Sequence, residues 1–148
     1  MKIMFIDDEA RRMQVYVEEL EDAGHQVDFR SQVDSALSIL RQGSERFDLV
    51  VIDISMPTGA EYKYEDTNGS SRTGTALYDT IRAEWPDLKV IVFTNVSDRR
   101  VAERFGKEDA QLCRFARKPD VLPFQLVELV EEFVAGSKNE GGEYEIRR

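Results

Sequence analysis

The segment at residues 47–57, FDLVVIDISMP, constrains the fold of this chain most strongly. Its apolar run, Leu49–Ile52, is short, rich in β-branched residues and uninterrupted by polar ones, which is typical of a central strand buried on both faces. One carboxylate, Asp53, follows directly. Ligands of an open α/β sheet bind beyond the carboxyl ends of its strands, so the sequence predicts that Asp53 lies at the functional edge of a sheet.

Strand-like and helix-like patterns alternate along the chain. Apolar or alternating runs predict four further strands, at residues 2–6, 26–30, 89–93 and 112–116. An amphipathic pattern follows each strand and predicts a helix, with Asp34 and Asp98 as N-caps and Pro123 in the first turn of the last helix. A βα unit repeated five times predicts a parallel sheet with helices on both faces.

Composition limits the number of domains, the cellular compartment and the binding partners that can be expected for this protein. Its 148 residues, 41% of them hydrophobic, are enough for one domain with a real core. The net charge of -9 argues against direct binding of nucleic acid, because phosphates would be repelled. The single cysteine, Cys113, cannot form an internal disulfide, and no signal peptide or membrane-length apolar run is present. We therefore expect a cytoplasmic protein that acts without a membrane.

Polar side chains follow four of the predicted strands: Asp7 and Asp8, Asp53, Thr94, and Lys118. The carboxyl ends of parallel strands share one edge, so these side chains are expected to converge. Three carboxylates favour a hard cation such as Mg²⁺, and a lysine with a hydroxyl suits the oxygens of a tetrahedral anion. The only histidine, His25, falls at the far end of the first helix, so no histidine base is available. The pattern indicates phosphoryl chemistry with Asp53 as nucleophile.

With Met56-Pro57 after Asp53, and with Phe115 and Pro119, these residues resemble the receiver domain of response regulators in two-component signalling. The resemblance covers about residues 2–135. It implies a flavodoxin-like, doubly wound (βα)5 fold with the parallel strand order 2-1-3-4-5. We therefore expect a receiver domain at residues 1–136 and a flexible polar tail at 137–148.

The resemblance also implies a role for each matched residue of the site. Asp53 would accept a phosphoryl group from the phosphohistidine of a histidine kinase or a histidine phosphotransfer protein. Asp8, Asp53 and the backbone carbonyl of Ser55 would bind Mg²⁺ directly, and Asp7 would act mainly through water. Lys118 would contact a phosphoryl oxygen and balance its charge.

A conformational switch and a protein output are implied in the same way. Thr94 would move to the phosphoryl group and Phe115 would turn inward, although Phe115 fits a plain core position equally well. The output would be contact with a downstream protein effector, not turnover of a substrate. Opposite charges on the predicted fourth and fifth helices leave open a phosphorylation-dependent homodimer.

Three features depart from the family pattern. The segment at 58–73 is much longer than usual and predicts an inserted loop beside the site, as filler, lid or partner-binding element. Asn95 stands where a small residue usually follows the threonine, and Asp120 replaces a common apolar residue. These departures put the phosphorylation rate and the choice of partner in question more than the chemistry.

Two alternatives remain open. The first is a receiver-like scaffold whose output does not depend on phosphorylation, which the insertion and Asn95 allow. The second is a Mg²⁺-dependent phosphohydrolase with an aspartyl nucleophile. Haloacid-dehalogenase-type enzymes usually carry a second aspartate two residues after the nucleophile, and Ser55 occupies that position here. Turnover of small phosphate esters would distinguish the hydrolase.

Overall fold

One parallel sheet of five strands runs through the protein, whose computed structural model describes residues 1–63 and 72–136. The strands are β1 (Lys2–Ile6), β2 (Gln26–Arg30), β3 (Leu49–Ile52), β4 (Lys89–Thr94) and β5 (Cys113–Arg117). The helices are α1 (Ala10–Asp22), α2 (Val33–Gly43), α3 (Thr73–Glu84), α4 (Arg99–Gly106) and α5 (Pro123–Val134). The strand order is β2-β1-β3-β4-β5, which confirms the predicted flavodoxin-like arrangement.

The central strand β3 is buried on both faces, as its apolar run predicts. Leu49 and Val51 pack into a core with α1 and α5, whereas Val50 and Ile52 pack into a second core with α2, α3 and α4. All four side chains are fully buried, and each contributes about 1.5–3 kcal/mol of hydrophobic stabilisation. Burial on two faces therefore holds the end of β3, and with it Asp53, in one position.

The two predicted N-caps have different outcomes. The Asp98 side chain accepts a hydrogen bond from the backbone N–H of Arg100 at 2.9 Å, so its prediction as the cap of α4 is confirmed. The prediction for Asp34 is wrong, because α2 begins at Val33 and its N-cap is Gln32. The Asp34 carboxylate instead accepts hydrogen bonds from the backbone N–H groups of Ala60 at 2.8 Å and Glu61 at 3.1 Å. The Asp34 carboxylate, which local pattern assigned to the start of α2, therefore binds a turn that is distant in sequence.

The first residues of the predicted insertion are anchored on the helices next to them. The side chain of Tyr62 is buried, and its hydroxyl donates a hydrogen bond to Thr80 Oγ1 of α3 at 2.6 Å. Arg41 of α2 forms ion pairs with both Glu61, at 2.8 Å, and Glu84, at 2.7 Å. Glu61 and Tyr62 thus anchor the start of the inserted loop to α2 and α3.

Part of the predicted domain organisation stays a prediction. The remainder of the inserted loop, residues 64–71, and the predicted flexible tail, residues 137–148, lie outside the described residues. Within the described ranges, no helix has both the length and the apolar character needed to cross a membrane.

Candidate functional site

The polar residues predicted to converge lie at the carboxyl edge of the sheet. Asp7 follows β1, Asp53 follows β3, Thr94 ends β4 and Lys118 follows β5. The hydrogen bonds between β1 and β3 continue to the base of the site. There the backbone N–H of Asp53 donates a hydrogen bond to the carbonyl of Ile6 at 3.0 Å. The sheet register, rather than a flexible loop, therefore positions the Asp53 carboxylate.

Three carboxylates form one cluster at this edge. One oxygen from each of Asp7, Asp8 and Asp53 lies within 4.8 Å of the other two. Asp7 is fully buried and Asp53 nearly so, whereas Asp8 is exposed and opens the cluster to solvent. Oxygen donors at this spacing, with access for water, suit the coordination that Mg²⁺ prefers.

The electrostatics of the cluster also favour a cation. Burial, and then the negative charge of Asp53, raise the pKa of Asp7 to about 6, and the same two causes raise the pKa of Asp8. Asp7 Oδ2 is buried, and no described residue donates a hydrogen bond to it in good geometry, although Lys118 Nζ lies 2.7 Å away as an ion-pair partner. An oxygen in this state would gain from a divalent ion, so the residues present fit Mg²⁺.

The lysine of the site is buried among carboxylates. Besides its contact with Asp7, Lys118 Nζ lies 3.3 Å from Asp53 Oδ2 and 3.5 Å from Glu9 Oε1. Burial lowers the pKa of Lys118, but the charges of Asp7 and Asp53 outweigh burial and raise the pKa overall. The ammonium group is therefore charged and lies directly beside Asp53. The contact with Glu9, the third acid of the run after β1, was not predicted from the sequence.

A glycine lets α3 begin against the end of β3. A Cβ atom on Gly74 would lie 1.9 Å from the backbone carbonyl oxygen of Asp53, and the Gly74 N–H donates a hydrogen bond to the carbonyl of Ile54 at 2.8 Å. The backbone N–H of Ile54 in turn donates to Asp53 Oδ1 at 2.7 Å. This role of Gly74 was not predicted from the sequence.

The model of the response regulator receiver domain matches residues 3–119. The chain belongs to this family. A curated relative, the two-component response regulator ARR10 of Arabidopsis thaliana, is 26% identical over 119 residues, which are 80% of this chain and 19% of ARR10. The receiver domain described here therefore spans about a fifth of that relative.

Solved structures agree with this assignment. A response regulator receiver domain protein from Clostridium thermocellum is 25% identical, with 93% of this chain and 96% of that one covered and a TM-score of 0.72. The response regulator TrrA from Thermotoga maritima, solved in complex with Mg²⁺ and beryllium fluoride, is 23% identical, with 89% and 97% covered and a TM-score of 0.65. The second likeness shows the fold alone.

The two predicted switch residues of this receiver domain contact the loop after β4 and helix α4. Thr94 is fully buried, and its Oγ1 accepts a hydrogen bond from the backbone N–H of Val96 at 3.1 Å. Phe115 is half-buried and stacks on Phe105 of α4, with ring centroids 6.2 Å apart and an interplanar angle of 5°. Asn95 is exposed, on the loop that follows β4.

An ion pair joins the two loops that flank the site. Arg72, the residue before α3, contacts Asp98, the N-cap of α4, at 2.5 Å. The end of the inserted loop is thus tied to the loop that follows Thr94. Sequence reasoning missed this pair, because residues 72 and 98 lie on separate elements and no local pattern links them.

Proposed function

We propose that this receiver domain accepts a phosphoryl group on Asp53 from the phosphohistidine of a histidine kinase or a histidine phosphotransfer protein. One observation carries the proposal: the Asp53 carboxylate lies 3.3 Å from the Lys118 ammonium group and within the cluster formed with Asp7 and Asp8. A nucleophilic oxygen, a fixed positive charge and a cation site therefore occupy one small region. This arrangement suits in-line attack on phosphorus.

In the proposed transfer, an oxygen of Asp53 forms a bond to phosphorus while the phosphorus–nitrogen bond breaks and its electron pair leaves with the imidazole. Lys118, already an ion-pair partner of Asp53, contacts a phosphoryl oxygen and offsets part of its charge. The short bond from Ile54 N–H to Asp53 Oδ1 orients the carboxylate for attack. The chain thus supplies the nucleophile, its orientation and one countercharge.

Mg²⁺ belongs to this proposal as the metal of the site. Asp8, Asp53 and the backbone carbonyl of Ser55 would bind it directly, and Asp7 would act mainly through water. When bound, Mg²⁺ supplies charge neutralisation between the carboxylates and the phosphoryl oxygens. The raised pKa values of Asp7 and Asp8 support this assignment, and the Mg²⁺ and beryllium fluoride complex of TrrA provides a precedent in the same fold.

The proposed output is a conformational change read by another protein. Thr94 would exchange its bond with the Val96 N–H for one with a phosphoryl oxygen, and Phe115 would leave its stack on Phe105 and turn inward. The domain would act in the cytoplasm through a protein effector, or through a phosphorylation-dependent homodimer of α4 and α5 surfaces. It would signal as a phosphoacceptor that promotes its own phosphotransfer and dephosphorylation, without direct contact with nucleic acid or membrane.

Labelling with acetyl phosphate and Mg²⁺ tests the proposal by intact mass. We expect the wild type to gain one phosphoryl group, and Asp53→Asn to gain none. Asp48→Asn is the matched control, because Asp48 precedes β3 at the opposite edge of the sheet and should leave labelling unchanged. Amide NMR with beryllium fluoride should show shifts that spread from Asp53 to Thr94 and Phe115.

Other outcomes would contradict the proposal in distinct ways. Binding of Mg²⁺ without engagement of Asp53 by acetyl phosphate or beryllium fluoride would favour the phosphorylation-independent scaffold. Steady turnover of small phosphate esters that is abolished in Asp53→Asn would favour the phosphohydrolase.

A further inference from the structure

A second charged cavity lies at the amino edge of the sheet, opposite the phosphoacceptor site. Lys89 begins β4 and Arg114 lies near the start of β5. Both contact the ring of Phe133 on α5, with Lys89 Nζ 4.8 Å and Arg114 Cζ 5.1 Å from its centroid. Together with Gln111 and Gly136 they line a cavity of about 120 Å³, which we call the Lys89–Arg114 pocket.

The two cations of this pocket have no carboxylate within 4.0 Å among the described residues. Arg114 is only 6% exposed, and its single hydrogen bond there runs from Nε to the carbonyl oxygen of Ala110 at 2.7 Å. The terminal nitrogens of its guanidinium group have no acceptor within the described ranges. Lys89 Nζ donates to the carbonyl oxygen of Gln111 at 2.6 Å. The Arg114 side chain is thus largely buried, while its terminal nitrogens remain open to a ligand that enters from solvent.

The acid nearest in sequence, Asp109, offsets the charge of the pair only in part, because it raises the pKa of Lys89 by less than burial and Arg114 lower it. Asp109 Oδ1 accepts a hydrogen bond from the backbone N–H of Gln111 at 2.9 Å, so this carboxylate is used within its own turn. Burial, and then the charge of Arg114, lower the pKa of Lys89. Among the described residues, the positive charge of the pocket is therefore only partly compensated, and it lies next to the ring of Phe133.

We propose that the Lys89–Arg114 pocket binds one small oxyanion, a carboxylate or a phosphate. The planar guanidinium group of Arg114 can donate two parallel hydrogen bonds to such a group, and Lys89 adds a second positive charge. Each water in the liquid occupies about 30 Å³, so the cavity has room for an anion of a few heavy atoms but not for a nucleotide. The apolar face of Phe133 lowers the local dielectric and strengthens both charge contacts.

The carboxylate could come from a separate acidic peptide or from this chain. Gly136, which lines the pocket, is followed by a segment that contains Glu140, Glu143 and Glu145. A side chain tethered this close competes at an effective concentration in the millimolar range. The test must therefore distinguish a free anion from one supplied by the chain itself.

Titration of the ¹⁵N-labelled full chain with inorganic phosphate, and separately with acetate, tests the pocket. Mg²⁺ is left out, and ionic strength is held constant with sodium chloride. We expect saturable shifts at the Arg114 Nε–H and at the Gly136 amide. Lys89→Gln should weaken binding by about ten-fold, since a charge-assisted contact is lost. Lys107→Gln is the matched control, because it removes an equal charge from an exposed position on the opposite layer and should bind as the wild type does.

Three outcomes decide the matter. Saturable binding that weakens in Lys89→Gln and in Arg114→Lys, with Lys107→Gln unchanged, supports a site for free oxyanions. Binding seen only after Glu140, Glu143 and Glu145 are all changed to glutamine supports the pocket with the chain's own carboxylate as its ligand. Absence of saturable binding in both backgrounds, or binding that Lys89→Gln leaves unaltered, overturns the proposal.

Discussion

Asp7→Asn should stabilise the metal-free protein at neutral and alkaline pH. The charged form of Asp7 is disfavoured in the fold, because the side chain is fully buried beside Asp53, which raises its pKa from 3.8 to about 6. One pKa unit corresponds to 1.36 kcal/mol, so a shift of about two units sets a ceiling of about 3 kcal/mol on the gain. Asparagine can still accept the hydrogen bond that the Glu9 N–H donates to Asp7 Oδ1 at 2.8 Å.

The sign of the pH dependence follows from the same shift. A carboxyl group whose pKa is raised in the fold binds its proton more tightly in the folded state, so stability falls as the pH rises from 3.8 through about 6. The advantage of Asp7→Asn should therefore be full at about pH 8, and reduced to about 1 kcal/mol at pH 4.5. Saturating Mg²⁺ should stabilise the wild type and reduce the difference between the two proteins.

Urea unfolding, followed by the fluorescence of Trp85 and by circular dichroism, measures these differences. Samples contain EDTA or Mg²⁺ at each pH. Asp8→Asn is the graded control, because Asp8 is exposed and should give a smaller gain. Asp87→Asn, on an exposed turn, should give none. The reasoning is refuted if Asp7→Asn is no more stable than the wild type at pH 8 in EDTA, or if its gain does not change with pH.

Three further predictions concern packing and local chemistry. Gly74→Ala should destabilise the fold by about 3 kcal/mol, because its methyl group would overlap the backbone carbonyl of Asp53. Gly106→Ala, with open space around it, should unfold at no lower urea concentration than the wild type. The thiol of Cys113 is 1% exposed and burial raises its pKa to about 12, so Ellman's reagent at pH 8 should label the unfolded chain rapidly and the native chain very slowly; equal rates would contradict this. Tyr62→Phe should cost about 1 kcal/mol in urea unfolding, because it removes the 2.6 Å bond to Thr80, and an unchanged midpoint would show that this contact does not anchor the loop.

The sheet and the approximate bounds of its strands could be predicted from local pattern. β1, β3 and β4 each contain an uninterrupted apolar run, and only a strand covered on both faces buries such a run. Convergence of Asp7, Asp53 and Lys118 then followed from geometry, because parallel strands end at one edge. These inferences need no knowledge of distant contacts.

Contacts between elements could not be predicted in this way. Asp34 satisfied the pattern of an N-cap but binds the turn at Ala60 and Glu61. The ion pair of Arg72 with Asp98 joins loops 26 residues apart, and neither loop signals its partner. A short polar side chain has several local and distant acceptors or donors of similar energy, so only the folded arrangement decides among them.

The sequence by itself determined the fold class, the strand order through its family resemblance, and the set of residues at the carboxyl edge. Hydrophobic periodicity and the order of the elements can be read from the sequence without knowledge of the tertiary structure. Only the tertiary structure decided that Asp7 is fully buried while its neighbour Asp8 is exposed. It also decided that Arg114 is buried over Phe133, with no carboxylate of residues 1–63 or 72–136 in an ion pair with it. Burial and charge balance depend on every element that packs around a side chain, so they emerge only when the whole chain has folded.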